Sequence, residues 1–208
     1  MRPTTTLSLA LFALAACRGG GAPMGPGEGP PPEPPGECAP VEEAPRAEPL
    51  QWKRAAAFEA DLHAALELDR SSGCREVDRV PCGAVHLVAL GGNDPLGIAQ
   101  YEPVAEPLAT TPLTVDRMVL GACANRVALD AEGAPRVFDR VDLGAAALAP
   151  ADPAVRAQTE ALYRRLLRRD ATDEELAIVA ELAEGLSARD WALAACFAIG
   201  TTTENVLF

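Results

Sequence analysis

DPAVRAQTEALYRRLLRRDATDEELAIVAELAEGLSARDWALAACFAIG, residues 152–200, carries three helical periods in a row, each opened by its own start signal. Asp152-Pro153 begins the first, because proline lacks the amide hydrogen that a first turn leaves unpaired. Val155, Thr159, Leu162, Tyr163, Leu166 and Leu167 then recur at three- and four-residue steps and so share one face. Thr172-Asp173-Glu174-Glu175 has the spacing of a capping box, with Thr172 placed to accept from the Glu175 amide. Leu176, Val179, Ala180 and Ala183 follow it at helical steps. Ser187 and Asp190 open the third period, which carries Trp191, Ala194, Ala195 and Ala198 to Gly200. Connectors this short favour antiparallel packing, so 152–208 is expected to form a three-helix unit with Tyr163, Trp191 and Phe197 filling gaps between alanines.

Working back along the chain, Thr111-Pro112 reads as a helix start with Thr111 as the cap and Pro112 in the first turn. Val115, Met118, Val119, Ala122, Arg126 and Leu129 line one side of that helix, and only Arg126 interrupts the apolar stripe. An arginine there either snorkels to water or pairs with a buried carboxylate. Ala131–Pro135 ends the helix, and Val137-Phe138 and Val141-Asp142-Leu143 make a connector. Another helix is expected after Pro49, on Trp52, Ala55, Phe58, Leu62 and Leu66, ending near Ser71-Ser72-Gly73. Ala84–Leu90 is a short apolar run closed by Gly91-Gly92-Asn93-Asp94-Pro95, which reads as a buried strand or extended segment, although periodicity alone does not separate it from a buried helical turn. Gly91–Pro112 carries four prolines and is expected to be mostly loop, packed by Tyr101, Val104 and Leu108. The fold class is therefore mainly α: a small helical domain over about 50–208 with one or two short extended segments.

Residues 17–49 have a different composition. Glycine, proline and glutamate dominate, and large apolar side chains are nearly absent. Such a segment buries too little surface to offset its ordering entropy, so a disordered Pro/Gly-rich tether is expected, stiffened at Pro30-Pro31-Pro32 and Pro34-Pro35. Residues 1–16 have the signal-peptide pattern: Arg2, then an apolar run of about ten residues through Leu7, Leu9, Leu11, Phe12 and Leu14, then small residues. A bilayer span needs roughly 18 residues or more, so the run reads as a leader. Leu14-Ala15-Ala16-Cys17 at its end resembles the lipobox of bacterial lipoproteins. That resemblance implies cleavage before Cys17, acylation of Cys17, and a lipid bilayer as its partner. With Arg18 after the cysteine rather than aspartate, it further implies the outer membrane of a Gram-negative cell envelope, on an undetermined face.

The formal charge of -12 argues against nucleic acid as a partner and against an anionic membrane bound through a basic surface. Lys53 is the only lysine, so Arg164, Arg165, Arg168 and Arg169 read first as a solvated helix side and second as an anion-binding patch. Export makes disulfides plausible among Cys38, Cys74, Cys82, Cys123 and Cys196, five cysteines that leave one over. Cys74 and Cys82 enclose a short polar loop and are the favoured local pair. Cys123 and Cys196 fall on apolar helix faces, which suits either a long-range bridge or two inert thiols. Cys38 is the odd one out.

Leu162-Tyr163-Arg164-Arg165-Leu166-Leu167, with Arg169-Asp170 and Glu174-Glu175-Leu176, resembles the opening of helical modules in exported bacterial proteins. One such group is the DUF4214-type, phycobilisome-linker-like module; another is the helical region of planctomycete and myxobacterial surface proteins. The chain departs from the first at Arg168, where glycine is usual, and at Ala171, where proline is usual. The resemblance spans about a quarter of the chain, brings no catalytic residues, and implies an envelope module that packs or links.

Catalytic signatures are missing: there is no Gly-x-Ser-x-Gly, no phosphate-cradling glycine loop and no His-Glu-x-x-His. His63 and His86 are the only histidines, so a histidine-rich metal site is excluded and no cofactor is expected. Gly91-Gly92-Asn93-Asp94 suits a tight turn far better than a calcium site. The leading expectation is a membrane-anchored, non-enzymatic structural or interaction module with an envelope protein partner, docking through an apolar groove near Trp191 or Phe208. The alternative is a periplasmic metal- or redox-active protein using Cys82 and His86, with Cys74 or Asp94 completing the site.

Overall fold

The computed structural model describes residues 52–69, 71–104 and 106–207, so the leader, Cys17, Cys38, the linker and Phe208 lie outside the described residues. Among the described residues seven helices and one two-stranded sheet follow in the order α1 (Ala55–Ala65), β1 (Arg75–Glu76), β2 (Val80–Pro81), α2 (Cys82–Val85), α3 (Thr111–Glu132), α4 (Pro153–Leu166), α5 (Asp173–Glu181), α6 (Ala188–Gly200) and α7 (Thr203–Val206). The chain is mainly α, with a minimal antiparallel hairpin as its extended part.

The start signals of the last three long helices work as their chemistry requires. Asp152 Oδ1 accepts from Ala154 N at 2.8 Å, and Ser187 Oγ accepts from Asp190 N at 3.2 Å. Thr172 and Glu175 close a complete capping box, each side chain accepting from the other's backbone amide. The α4 face is buried as expected except at Leu167, which follows the last helical turn and is half-buried. The buried face of α6 is rotated from expectation: Ala192, Cys196 and Ile199 join Trp191 and Ala195, while Ala198 is exposed.

Three boundaries differ from expectation, each for a local reason. Helix α1 stops at Ala65 rather than near Ser71, because Leu66 caps it and Glu67 takes a left-handed φ of 48°. Asp69 then collects the amides of Ser71 and Ser72, both at 2.8 Å, into a side-chain turn that competes with helix. Helix α3 opens at Thr111 with Thr110 as its flanking residue, and Thr111 does not cap it. Its hydroxyl instead donates to Ala89 O at 2.5 Å and accepts from Leu108 N at 2.9 Å, tying two loops together. The run Ala84–Leu90 is not a strand: α2 continues as helical turns, with His86 N on Cys82 O at 2.8 Å and Leu90 N on His86 O at 3.0 Å.

The core centres on α3 against α6, the most extensive helix pairing in the fold. Close approach is possible because Gly200 has no side chain: a Cβ there would sit 2.6 Å from Val119 Cγ1. Cys123 on α3 and Cys196 on α6 stand at disulfide distance, with Cα atoms 5.9 Å apart. A bridge closing 73 residues contributes about 2–4 kcal/mol, by limiting the unfolded chain. Helix α4 packs on α5, α6 and α1, so the three C-terminal helices share one core with α1 and α3. Trp191 is fully buried, its indole donating to Val179 O at 3.1 Å, so no exposed groove forms at that residue.

Arg126 takes the second of its two expected fates. Its Nη2 donates to Asp130 Oδ1 at 2.6 Å, one turn along α3, and both side chains are almost completely buried. Asp130 accepts as well from the amides of Arg136 (2.9 Å), Val137 (3.0 Å) and Phe138 (2.9 Å). Four donors on one carboxylate fold the connector after α3 back over the core and set Val137 and Phe138 into it, each with no exposed surface. Gln158 of α4 completes the join, accepting from Arg140 N at 3.0 Å and donating to Val137 O at 2.8 Å.

Removing the carboxylate orphans four donors, whereas removing the guanidinium leaves Asp130 with three amides. Asp130→Ala is therefore expected to cost about 3–5 kcal/mol in denaturant unfolding of the full chain, and Arg126→Met less. The double variant Arg126→Met/Asp130→Leu should not recover stability, because the three amides remain without an acceptor. Recovery to wild-type stability would show that the pair alone, rather than the whole node, carries the effect.

Candidate functional site

The segment from Cys74 to His86 gathers most of the chemistry-bearing side chains that the sequence singles out. Cys74 and Cys82 stand at disulfide distance across the base of the β1–β2 hairpin, with Cα atoms 5.4 Å apart. The tip needs left-handed backbone at Val77 and Asp78, φ 45° and 58°. Helical continuation through α2 then swings His86 back toward the hairpin, where its Nε2 lies 2.7 Å from Glu76 Oε1. Cys82 Sγ is 3.7 Å from the same oxygen. From α3, Arg117 reaches over to engage both Glu76 oxygens, with Nη2 to Oε2 at 2.5 Å.

Sequence reasoning named Cys82 and His86 but not Glu76 or Arg117. The alternation within a two-residue strand is too short to read, and Arg117 lies 41 residues further along the chain. Hydrogen bonds from Arg117 and then His86 hold the Glu76 carboxyl down at about 2, from 4.5. A carboxylate held that low by a guanidinium makes a poor general base. Among the described residues no group of three or more His, Cys, Asp or Glu side chains is arranged to hold a metal. His63, the other histidine, lies over Gly73, where a Cβ would fall 2.2 Å from its Nε2.

Beside this hairpin, α3 and the Ser71–Gly73 turn enclose an open hollow of about 540 Å³. Asn125 Nδ2 fixes its rim by donating to Ser72 O at 2.9 Å and Gly73 O at 3.0 Å. Leu120 and Leu129 are half-exposed in its wall, which explains why Leu129 departs from the buried stripe of α3.

The four arginines after Tyr163 are fasteners rather than a bare patch. Arg164 reaches Asp170 at 2.6 Å, Arg165 reaches Glu67 at 2.9 Å, and Arg168 reaches Asp61 at 2.9 Å. Arg169 clamps two carboxylates, Glu175 on α5 (2.6 and 2.9 Å) and Glu204 on α7 (2.7 and 2.8 Å). Its guanidinium also lies 5.3 Å from the Tyr163 ring centre. The Arg169 hydrogen bond is the main reason the Glu175 carboxyl is lowered to about 2 from 4.5, with the Thr172 amide second. Since each of these cations already holds a carboxylate, the cluster has little left to offer an external anion.

The Gly91–Pro112 stretch is a loop, as composition suggests, but Tyr101 and Leu108 do not pack it: they are 74% and 39% exposed. The tight turn lies after Gly91-Gly92-Asn93-Asp94 rather than within it: Asp94 Oδ1 accepts from Gly97 N at 2.8 Å. Among the described residues no helix is long and apolar enough to cross a membrane. Compared with known proteins, the chain matches no family model, no curated protein and no solved structure.

Both lowered carboxyls carry a pH prediction. A carboxyl whose folded value lies below its unfolded value stabilises the fold above about 4.5, and that contribution is lost as pH falls toward about 2. Glu175→Gln is expected to be less stable than wild type at neutral pH and to lose less stability between those limits, measured by denaturant midpoints across pH. An acid slope unchanged by the substitution would show that Glu175 does not contribute to it.

Proposed function

We propose that this chain is a bacterial envelope lipoprotein: a non-enzymatic helical module held at a membrane by acylated Cys17 on a proline- and glycine-rich spacer. The observation that carries the reading is Leu14-Ala15-Ala16-Cys17 at the end of a short apolar run with Arg2 before it. Diacylglycerol plus an amide-linked chain supplies the multiple hydrophobic contacts that stable anchoring needs, where one chain alone gives only marginal binding. Two cysteine pairs at disulfide distance suit an oxidising compartment outside the cytosol. The residues from Leu162 to Leu176, similar to helical modules of exported proteins, suit a packing or linking role, and Arg18 favours the outer membrane. An envelope protein is the expected partner.

A second reading, a metal- or redox-active protein, draws on one observation: Cys82 Sγ and His86 Nε2 converge on Glu76 Oε1 at 3.7 and 2.7 Å. It requires reduction of the Cys74–Cys82 pair, since the thiolate is the metal ligand. Zinc dialysis against the phosphine-reduced Cys17→Ser/Cys38→Ser chain tests it. Tight stoichiometric zinc lost in His86→Ala favours this reading, and affinity no greater than that of the oxidised chain ends it.

For the leading reading, Cys17→Ser is expected to move the protein from the membrane fraction to the soluble envelope fraction, with unchanged circular dichroism and melting. Intact-mass spectrometry of the native protein should show loss of residues 1–16 and added acyl mass at Cys17. An unacylated Cys17, or a retained leader, would overturn it.

A further inference from the structure

The loop between α2 and α3 presents several apolar side chains to water. Leu96 is 98% exposed, Ile98 63% and Tyr101 74%. These residues are held in place by a dense set of polar contacts. Asp94 Oδ1 accepts from Gly97 N at 2.8 Å, and Asp94 O accepts from Ile98 N and Gln100 N at 3.3 and 3.2 Å. Asn93 Nδ2 donates to Tyr101 O at 3.3 Å. A Cβ at Gly97 would lie 2.2 Å from Asp94 Oδ2 and would push that carboxylate aside, and Ala99 is kept at a φ of 56°. Both stems are gripped by one side chain: Arg54 Nη1 donates to Gly91 O at 3.1 Å and also to Val104 O. Three amides at the tip, those of Gly97, Ile98 and Gln100, are paired within the loop, which reduces the hydrogen bonds it gives up to water on entering a less polar medium.

We infer that the loop 92–104 is a membrane-contacting element, with Leu96, Ile98 and Tyr101 entering the headgroup–acyl boundary of a zwitterionic bilayer; this rests on the lipoprotein reading above. Three observations select lipid as the occupant. The segment from Cys17 to Gln51 joins the domain at Trp52, two residues before the arginine that grips the loop. A covalent tether turns a weak contact into an intramolecular one at high effective concentration, so three side chains suffice. The same three fall far short of the roughly 800 Å² per partner that a stable protein interface buries. Between 92 and 110 the charged residues are Asp94, Glu102 and Glu106 with no lysine or arginine, so an anionic surface is disfavoured. Tyr101, with an apolar ring and a polar hydroxyl, suits the interface beneath an aliphatic tip.

The test uses the acylated full chain carrying Cys38→Ser, with Leu96→Cys or Ile178→Cys labelled by an environment-sensitive fluorophore. Ile178 is the control, 56% exposed on α5. In phosphatidylcholine vesicles with brominated acyl chains, the label at 96 should shift to the blue and be quenched while the label at 178 is not. In the unacylated Cys17→Ser chain, Ile98→Asp should lower partition onto phosphatidylcholine by about tenfold. Vesicle-bound protein with an unquenched label at 96 overturns the inference and leaves the anchor standing. If native Cys17 proves unacylated, the anchor falls, while quenching at 96 in the Cys17→Ser/Cys38→Ser chain on concentrated vesicles still decides the loop. Self-association abolished by Ile98→Asp without quenching assigns the tip to a second copy, and stronger binding to phosphatidylglycerol overturns the zwitterionic preference.

Discussion

The Asp130 carboxylate is the point on which the arrangement of the helices depends. A buried charge is tolerated only when its lone pairs are used, and here four donors use them: Arg126 from the same helix and the amides of residues 136–138. The helix α3 would otherwise run out at Gly133 into a connector with no reason to return. By drawing that connector back, the carboxylate places Val137 and Phe138 in the core and brings Val137 O to Gln158 on α4. Arg126 also donates to Glu67 O at 3.3 Å, at the left-handed residue that ends α1. One ion pair thus touches the exit of α1, the exit of α3 and, through Gln158, the middle of α4.

A second layer of organisation lies at the surface. Arg165 bonds Glu67 and the carbonyl of Arg136, joining α4 to the same two junctions from outside. Arg169 does for α5 and α7 what Asp130 does for the interior, with the signs reversed: one cation serving two carboxylates and an aromatic face. Exposed pairs of this kind contribute little singly, but a planar guanidinium held by two bidentate partners fixes geometry as well as charge. The strongly acidic chain can therefore spend much of its positive charge internally and still fold.

How much of this could be read from the sequence depends on the range of the interaction that decides each element. Caps act within four residues, and those at Asp152, Thr172 and Ser187 are legible and present. The buried positions of α1 follow from spacing, yet its end does not, because Glu67 answers to Arg126 and Arg165 from distant helices. Ala84–Leu90 reads two ways because six apolar residues around His86 suit strand and helix alike; the bonds from His86 N to Cys82 O and from Leu90 N to His86 O make it helical turns. The apolar loop residues invite a packed reading, since nothing local says that Tyr101 faces water. At the candidate site, Cys74, Cys82 and His86 were visible as residue types, while Glu76 and Arg117 became partners only through the fold.

The backbone of Lys53 donates to Val206 O at 2.7 Å, and Trp52 bridges Leu207, so the first described residues lie against the last. Mechanically, this makes the junction a seam that carries tension. Tension arriving through residue 51 meets the Trp52–Leu207 bridge and the Arg54 grip on the loop before it can peel α1 from the core. A pull would be shared between residues 206–207 and a neighbouring loop, rather than concentrated on the first turn of a helix that has no side-chain cap.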